Sequence, residues 1–384
     1  MKKEHGSARR VLVAHNVQRG GWGGMARLME NLHDALREFD WTTDFFTSDD
    51  MPASASNRYR RYAFTCYARN HARKAFLRGE PYDIINIHEP SGAALVMGTS
   101  RLGEPAVVAM SYGVEQRYWE LRRRKDAAGL EPPGLKESIT FPLLSLWQSR
   151  LTLRKADHVL CSNEQDRAFL ESRLHLDHRK ITRVVPGAVP EFSRVAPGRV
   201  YDRSCTKLLF PGTWIERKGI RQLIEAFSLL ASKHPSLQLG ILGAGFPEAG
   251  VLADFPAEIR SRVRVFPPLS HEGCAQVFSE YDIFLLPSFF EGTPLTLIEG
   301  MSTGIPVITT ATSGMKDVIE DGRNGLLVAP ANVGEIVRAV ETLMADASLR
   351  ERLGRQGFCD ATGKYTWRAA AEIVNDVYSG LLKA

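Results

Sequence analysis

The sequence predicts an α/β protein of two domains, each built on a parallel β-sheet with helices on both faces. Short apolar runs alternate along the whole chain with segments whose apolar residues recur at helical spacing. The chain has 384 residues, which is enough for two hydrophobic cores. A stretch that contains Pro and Gly, residues 195–199, separates two series of such elements, so we expect a linker there.

The first series lies ahead of this linker. An apolar strand at residues 11–15 is followed by a glycine-rich loop at residues 20–24 and by a helix whose apolar residues run from Met25 to Leu36. Such an alternation of strand and helix is typical of a parallel sheet. The remaining predicted strands are residues 41–46, 83–88, 106–111, 157–161 and 181–185, and the remaining helices lie near residues 58–78, 91–101, 136–155 and 164–174.

The second series repeats the pattern after the linker. Its apolar runs predict strands that are short and buried on both faces, as in other parallel sheets. The predicted strands are residues 208–210, 237–242, 263–266, 282–286 and 305–309. Helices are expected after Gly219, Glu272, Pro294, Gly314 and Asn332, and a last helix at residues 367–382.

Composition excludes several classes of protein. Hydrophobic residues make up 44% and charged residues 24%, which is ordinary for a globular protein. The five cysteines are odd in number and show no C-x-x-C spacing, which argues for a reducing compartment and against a zinc ribbon. Neither a membrane span nor a signal peptide is recognisable, so we expect a cytoplasmic protein.

Charge is unevenly distributed between the two halves. Residues 1–197 hold 30 Lys/Arg and 23 Asp/Glu, and residues 198–384 hold 19 and 21. The first half therefore carries +7 and would attract an anionic acceptor or surface. The segment from Arg58 to Arg78 is basic and amphipathic, so it predicts either peripheral contact with an anionic membrane or a solvated helix packed by its aromatic side. No nucleic-acid recognition module is present.

The most informative stretch joins a predicted buried strand to a helix. Glu291 stands in the loop, Pro294 at the predicted helix start, and Glu299 one to two turns later on the polar face. The first amides, of Leu295 and Thr296, form a positive pole that suits a phosphate. Glu299 lies roughly 7–8 Å further along the axis. This span suits a nucleotide-sugar, with Glu291 on sugar hydroxyls and Glu299 on the ribose. A plainer alternative is that Glu291 offsets the helix dipole and Glu299 is merely exposed.

This stretch and its continuation resemble the donor-binding signature of glycosyltransferase family 4. The resemblance covers essentially the whole chain, and its motif is long and specific. The residues that carry it are Glu291-Gly292-x-Pro294, Glu299-Gly300-Met301, Gly304-x-Pro306-Val307-Ile308, Gly314, and Glu320-x-Gly322-x-x-Gly325-Leu326-Leu327-Val328.

The resemblance implies a retaining enzyme with the GT-B fold, in which two Rossmann-like domains face each other across a cleft. The expected domains are residues 1–197 on the acceptor side and residues 198–366 on the donor side. The helix in residues 367–384 is expected to cross back to the first domain. The expected reaction moves a sugar from a nucleotide-sugar to a glycan, lipid-linked or small-molecule acceptor.

The resemblance also assigns roles to residues. Glu291, Lys218 and His88 are the expected catalytic group, with His88 at a strand end where such folds bind ligands. A cation is needed because the departing nucleoside diphosphate gains negative charge. The remaining expected donor contacts are Gly20, Gly21, Arg217, Gly243, Gly245, Phe266, Gly292, Thr293, Pro294, Leu295, Thr296 and Glu299.

Two positions depart from the family pattern and keep alternatives open. Thr213 stands where an Arg is usual, and Tyr112 where many relatives carry His, although Tyr112 can still donate a hydrogen bond. A non-catalytic or regulatory member of the fold is therefore one alternative. An inverting enzyme that uses His15 as its base is another. A dinucleotide dehydrogenase is disfavoured because the loop at residues 20–24 is not a G-x-G-x-x-G fingerprint. We expect no cofactor, and no metal because no Asp-x-Asp occurs in a site-like context.

Overall fold

The computed structural model describes residues 9–19, 24–52, 60–124, 130–202 and 204–383. They form two compact units. The first unit comprises Met1–Arg123, Pro132–Val185 and Trp367–Ala384, and the second comprises Arg124–Glu131 and Pro186–Thr366. Each unit holds one six-stranded parallel sheet, whereas the sequence predicts six strands in the first domain and five in the second.

The sheet of the first unit has the strand order β2-β1-β3-β4-β5-β6. Its strands are β1 Arg9–Ala14, β2 Trp41–Phe46, β3 Ile84–His88, β4 Ala106–Ser111, β5 His158–Cys161 and β6 Ile181–Arg183. Its helices are α1 Gly24–Leu36, α2 Arg60–Leu77, α3 Glu115–Arg123, α4 Leu135–Phe141, α5 Trp147–Lys155, α6 Glu164–Leu174 and, from the C-terminal end of the chain, α15 Trp367–Leu381. A π-helical turn, Pro142–Leu146, joins α4 to α5.

Alternate residues of β1 build two separate cores because side chains point to opposite faces of a strand. Val11 and Val13 pack with α1 and α15, whereas Leu12 and Ala14 pack with α2. Among the described side chains of α2, the buried ones are Phe64, Thr65, Ala68, Ala72 and Ala75. This is not the aromatic face that the sequence indicated, since Cys66 is exposed and Tyr67 only half-buried.

The sheet of the second unit has the order β12-β11-β10-β7-β8-β9. Its strands are β7 Lys207–Pro211, β8 Gln238–Leu242, β9 Val263–Val265, β10 Ile283–Leu286, β11 Val307–Thr310 and β12 Leu326–Val328. The helices that follow α6 are α7 Pro190–Arg194, α8 Ile220–Lys233, α9 Glu248–Ala253, α10 His271–Glu280, α11 Leu295–Ser302, α12 Ser313–Val318, α13 Val333–Ala345, α14 Ala347–Lys364 and α15 Trp367–Leu381.

Three local predictions differ from the structure. Residues 91–101 form turns and a short 3-10 helix, Thr99–Leu102, instead of an α-helix, because Gly98 and Gly103 take left-handed φ angles of 72° and 89°. The predicted helix at residues 136–155 is divided by the π-helical turn. Strand β12 was not predicted, since it has only three residues and two of them are only partly buried.

The long segment of the second unit begins at Pro186, ahead of the predicted linker at residues 195–199. Helix α7 and the turn after it pack on this unit. The Phe192 ring meets Phe278 at 5.6 Å. The guanidinium of Arg199 donates to the carbonyl oxygens of Phe278 at 2.6 Å and Thr303 at 2.8 Å. These contacts make the expected linker a part of the domain.

Candidate donor-binding site

The order of the second sheet creates a site at its centre. The chain runs from β7 outward through β8 and β9, and then returns to β10 on the other side of β7. In such open sheets ligands bind outside the carboxyl ends of the strands where the order reverses. The loops that follow β7 and β10 flank this point, and the predicted Lys218 and Glu291 lie in these two loops.

The turn after β7 is fastened to the loop after β10. The 3-10 turn Glu216–Lys218 ends at Gly219, whose φ is 74°. A Cβ atom at Gly219 would lie 2.0 Å from the carbonyl oxygen of Pro287, so only glycine fits there. The backbone N–H of Phe289 donates to the carbonyl of Arg217 at 2.9 Å. The direction of the Lys218 side chain is therefore set by backbone contacts.

Lys218 and Glu291 form a buried ion pair. Lys218 Nζ lies 2.7 Å from Glu291 Oε1, and the two side chains are only 11% and 8% exposed. Burial raises the pKa of the Glu291 carboxyl, but the charges of Lys218 and Arg217 outweigh burial and hold this pKa below its usual value. Burial is also the main reason why the pKa of Lys218 is lowered. The sequence assigned these residues to different parts of the donor, and the structure brings them into direct contact.

Helix α11 presents its N-terminus at the same edge. Pro294 is the N-cap, one position outside the predicted start, and Leu295 is the first helical residue. The N–H of Leu297 donates to the carbonyl of Pro294 at 3.0 Å, which leaves the N–H groups of Leu295 and Thr296 without an intrahelical acceptor. Glu299 is only 3% exposed, so the alternative in which it is merely a surface residue is wrong.

The loop ahead of α11 is held by the start of α12. Gly314 donates its N–H to the carbonyl of Gly292 at 2.8 Å, and a Cβ atom at Gly314 would lie 2.2 Å from both this oxygen and Thr293 Oγ1. The preceding Ser313 is buried and has a φ of 50°, which is unusual for a residue other than glycine. Sequence reasoning missed Ser313. Its only signal was its place beside Gly314.

The turn after β8 lies beside the turn after β7. The N–H groups of Gly212 and Trp214 donate to the carbonyls of Leu242 at 2.8 Å and Ala244 at 2.7 Å. Gly243 and Gly245 both have left-handed φ angles, 75° and 74°. A Cβ atom at Gly245 would touch the methyl group of Thr213 at 3.4 Å. Thr213 therefore presents a methyl group to this turn, at the position where the resemblance led us to expect an Arg.

Phe266 follows β9 and is buried. Its ring packs against Tyr281 at 5.9 Å, with the Arg264 guanidinium 4.5 Å from the ring centroid. Its backbone N–H donates to the carbonyl of Ile241 at 2.9 Å. The ring is thus a packing element, and only the backbone of this position remains as a contact for a nucleotide base.

The first unit has its own reversal of strand order, between β1 and β3. His15 follows β1 and His88 ends β3. Burial, with the charge of Arg19, lowers the pKa of His15 to about 4, so its imidazole is neutral at pH 7. His88 is buried and stacks on Tyr112 at 5.3 Å. The Tyr112 hydroxyl is directed at Met29 Sδ, 3.6 Å away, rather than at a ligand pocket.

Glu89, the neighbour of His88, is a buried acid that sequence reasoning did not assign. It accepts hydrogen bonds from the hydroxyls of Ser111 and Ser149 and, at 3.2 Å, from the backbone N–H of Glu115. Burial raises its pKa to about 8, more than these hydrogen bonds lower it. Its signal in the sequence was a carboxylate directly after a buried strand.

Two of the predicted donor contacts, Gly20 and Gly21, lie outside the residues that the structure describes. Within the residues that the structure describes, no group of three His, Cys, Asp or Glu side chains is placed to hold a metal ion. The helices of the described segments are too short or too polar to cross a bilayer.

Both halves of the chain match known families. Residues 22–192 match the family described as Glycosyltransferase Family 4, and residues 204–358 match Glycosyl transferases group 1. The chain is 27% identical over 248 residues to a D-inositol 3-phosphate glycosyltransferase of Corynebacterium kroppenstedtii, which covers 59% of this chain and 54% of the relative. It is 28% identical over 258 residues to an alpha-D-kanosaminyltransferase of Streptomyces kanamyceticus, and the match covers 64% of this chain and 66% of that relative. The chain thus spans about half to two thirds of these relatives' length.

A solved structure supports the fold over the whole chain. The sucrose-phosphate synthase of Thermosynechococcus elongatus superposes with a TM-score of 0.78, covering 98% of this chain and 99% of its own. Sequence identity is 18%, so this likeness concerns the fold. Together with the two parallel six-stranded sheets, it confirms the predicted GT-B class of two Rossmann-like domains.

Proposed function

Because this chain belongs to the group 1 glycosyltransferases, with their GT-B fold, we propose that it transfers a sugar from a nucleotide-sugar to an acceptor hydroxyl. The buried Lys218–Glu291 ion pair is the observation that carries the proposal. A buried charge pair is costly to maintain, and such pairs with shifted pKa values concentrate at functional sites. This pair lies at the reversal of the strand order, where ligands of this class of fold bind.

The pair suits the two ends of a sugar–phosphate bond. On donor binding, Glu291 accepts hydrogen bonds from sugar hydroxyls, and Lys218 turns its ammonium toward the diphosphate. The N–H groups of Leu295 and Thr296 add the positive pole of α11. Negative charge grows on the diphosphate as the sugar departs, so preorganised donors and a cation lower the barrier. With this counter-charge supplied by the protein, we propose that turnover is independent of a divalent metal.

Glu299 is proposed to bind the ribose diol. It is buried one to two turns into α11, on the same helix whose first amides are proposed to hold the phosphates. The turns at Gly212–Thr213 and Gly243–Gly245 approach each other closely enough to offer backbone N–H groups to the rest of the nucleotide. His88 is proposed to contact the transferred sugar.

We propose an acceptor that carries negative charge. The half of the chain that the resemblance places on the acceptor side has an excess of seven basic residues. The relative from Corynebacterium is named for D-inositol 3-phosphate, a molecule that carries a negatively charged phosphate. Retention at the anomeric carbon is part of the proposal. In the inverting alternative the neutral, buried His15 would act as base, and the anomeric configuration of the product separates the two.

Calorimetry with UDP-, GDP- and ADP-sugars tests the donor part. We expect one of them to bind, and Glu299→Gln to weaken its binding about tenfold, since a charge-assisted hydrogen bond becomes a neutral one. Glu248→Gln, an exposed position in the same unit, is the control and should leave the affinity unchanged. Turnover should persist in EDTA. Absence of binding by all three donors would overturn the proposal, and loss of activity that Mg²⁺ restores would overturn its metal-independent part.

A further inference from the structure

The outer face of α4, the π-helical turn and α5 carries an unusual row of apolar side chains. Leu135, Ile139, Leu143 and Trp147 are 86%, 58%, 65% and 47% exposed. We call these four residues the apolar stripe. An isolated exposed apolar residue is ordinary, but a contiguous row marks an interaction surface.

Four of the five buried residues in this segment are polar, whereas the buried face of a surface helix is usually apolar. Ser145, Gln148, Ser149 and Thr152 are buried, and Ser149 donates to the buried carboxyl group of Glu89. The segment is therefore anchored by hydrogen bonds on its inner side. Leu153 is the one buried apolar residue of the segment, whereas the four residues of the apolar stripe lie outside the core.

The π-helical turn keeps the stripe on one side. Side chains four residues apart in an α-helix drift by about 40° per step because each residue turns about 100°. Over Leu135, Ile139, Leu143 and Trp147 this would carry the row well around the helix. The wider turn at Pro142–Leu146 holds more residues per turn and takes back part of the drift. The four side chains consequently present one surface.

Basic residues border the stripe. Lys136, Arg150, Arg154 and Lys155 are exposed on the same segment. Glu137 is the one acidic residue of the sequence between Leu135 and Lys155, and it is neutralised by Arg122 in an ion pair. An exposed apolar row with a Trp, flanked by cations, is the composition of a helix that lies in the interface of an anionic bilayer.

We propose that the apolar stripe and its bordering cations bind the protein peripherally to an anionic lipid surface. The stripe enters the headgroup region, and Lys136, Arg150 and Arg154 remain at the level of the phosphates. The sequence alone had indicated the helix from Arg58 to Arg78 for this role. In the structure two of its cations are engaged elsewhere, because Arg60 donates to the carbonyl of Ser48 at 2.8 Å and Arg69 to that of Ala94 at 3.1 Å.

Co-sedimentation with vesicles of phosphatidylglycerol and phosphatidylcholine, and with phosphatidylcholine alone, tests the proposal. We expect binding to the anionic vesicles that declines with salt. The double variant Leu143→Ser/Trp147→Ser should bind at least tenfold more weakly. Arg150→Ser/Arg154→Ser should weaken binding about fivefold for each cation and flatten its salt dependence. Nucleotide affinity of both variants should remain that of the unmodified protein, which shows that they are folded.

Two matched variants locate the contact. Leu229→Ser/Phe246→Ser removes apolar residues of similar exposure, 47% and 53%, from the second unit and should leave vesicle binding unchanged. Arg73→Ser/Lys74→Ser removes exposed cations of α2 and should also leave vesicle binding unchanged. Binding that depends on α2 and not on the stripe would overturn the proposal. So would absence of vesicle binding, or a dimer in analytical ultracentrifugation that Leu143→Ser/Trp147→Ser dissociates.

Discussion

The Lys218–Glu291 pair makes a prediction about stability. Replacing one partner leaves the other charge buried and unpaired, so Lys218→Met and Glu291→Gln should each cost about 3–5 kcal/mol in the free energy of unfolding. The double variant should cost less than the sum of the two, which urea unfolding of all four proteins measures as a coupling energy. Arg355→Met, which breaks an exposed pair with Glu351, is the control and should stay within about 0.5 kcal/mol.

Lys218 should also contribute to the rate of sugar transfer. Lys218→Met should lower kcat about 10²–10³-fold, the scale of losing one electrostatic contact to the transition state. If the stability losses of Lys218→Met and Glu291→Gln added up in the double variant, the side chains of Lys218 and Glu291 would not interact in solution. An unchanged kcat would remove Lys218 from the proposed mechanism and leave it a structural role.

Glu89 makes a prediction about pH. Its pKa in the folded protein is raised to about 8, whereas an unfolded Glu titrates near 4.3. Between these values the folded protein holds a proton that the unfolded chain has lost, so stability falls as pH rises, by up to about 1.4 kcal/mol per pH unit. Glu89→Gln should lack this decline. The measurement is the difference in unfolding free energy between the two proteins from pH 5 to 8.

An exposed position serves as the control for this profile. Glu120→Gln, on α3, should follow the pH dependence of the unmodified protein, since its side chain is about two-fifths exposed. A difference between Glu89→Gln and the unmodified protein that is constant with pH would show that the Glu89 carboxyl is ionised in the fold.

At the level of elements, the turn that presents Lys218 depends on Gly219. Gly219→Ala would place a Cβ atom 2.0 Å from the Pro287 carbonyl oxygen at a positive φ, so the loops after β7 and β10 must separate. We expect a loss of both stability and nucleotide affinity, measured by thermal unfolding and calorimetry. Gly250→Ala, in helix α9 with open space around it, should instead be neutral or stabilising by up to about 1 kcal/mol. Unchanged nucleotide affinity in Gly219→Ala would separate this turn from the donor site.

For the whole molecule, the C-terminal helix belongs to the unit at the other end of the chain. On α15, Tyr378 accepts a hydrogen bond from Asn86 Nδ2 at 2.6 Å, and Asn375 accepts one from Trp41 Nε1 at 3.0 Å. Removing residues 367–384 should therefore expose β1 and β3 to hydrogen exchange while β7 and β10 keep their protection. Tyr378→Phe, which leaves the buried Asn86 amide without this acceptor, should cost about 1–3 kcal/mol.

Hydrogen exchange followed by mass spectrometry resolves the two units in one experiment. An exposed substitution on the same helix, Arg368→Gln, is the control and should leave both sheets protected. If truncation released β7 and β10 instead, α15 would be a part of the second unit in solution.

The sequence by itself determined the order of strands and helices, the parallel sheets and the strand-to-helix stretch that carries Glu291 and Glu299. These follow from local periodicity, because a strand buried on both faces or an amphipathic helix is recognisable from its own residues. The motif ahead of α11 is equally local. Where the prediction was wrong, as at residues 91–101, local backbone geometry at glycine overrode the apolar pattern.

Only the tertiary structure decided the contacts between residues far apart in the chain. It paired Lys218 with Glu291, buried Glu299 and Glu89, and drew α7 and Arg199 into the second unit. It also showed that Leu135, Ile139, Leu143 and Trp147 are exposed although they are apolar. Periodicity reports that a helix has an apolar face, but which face is covered depends on the neighbours that the fold supplies.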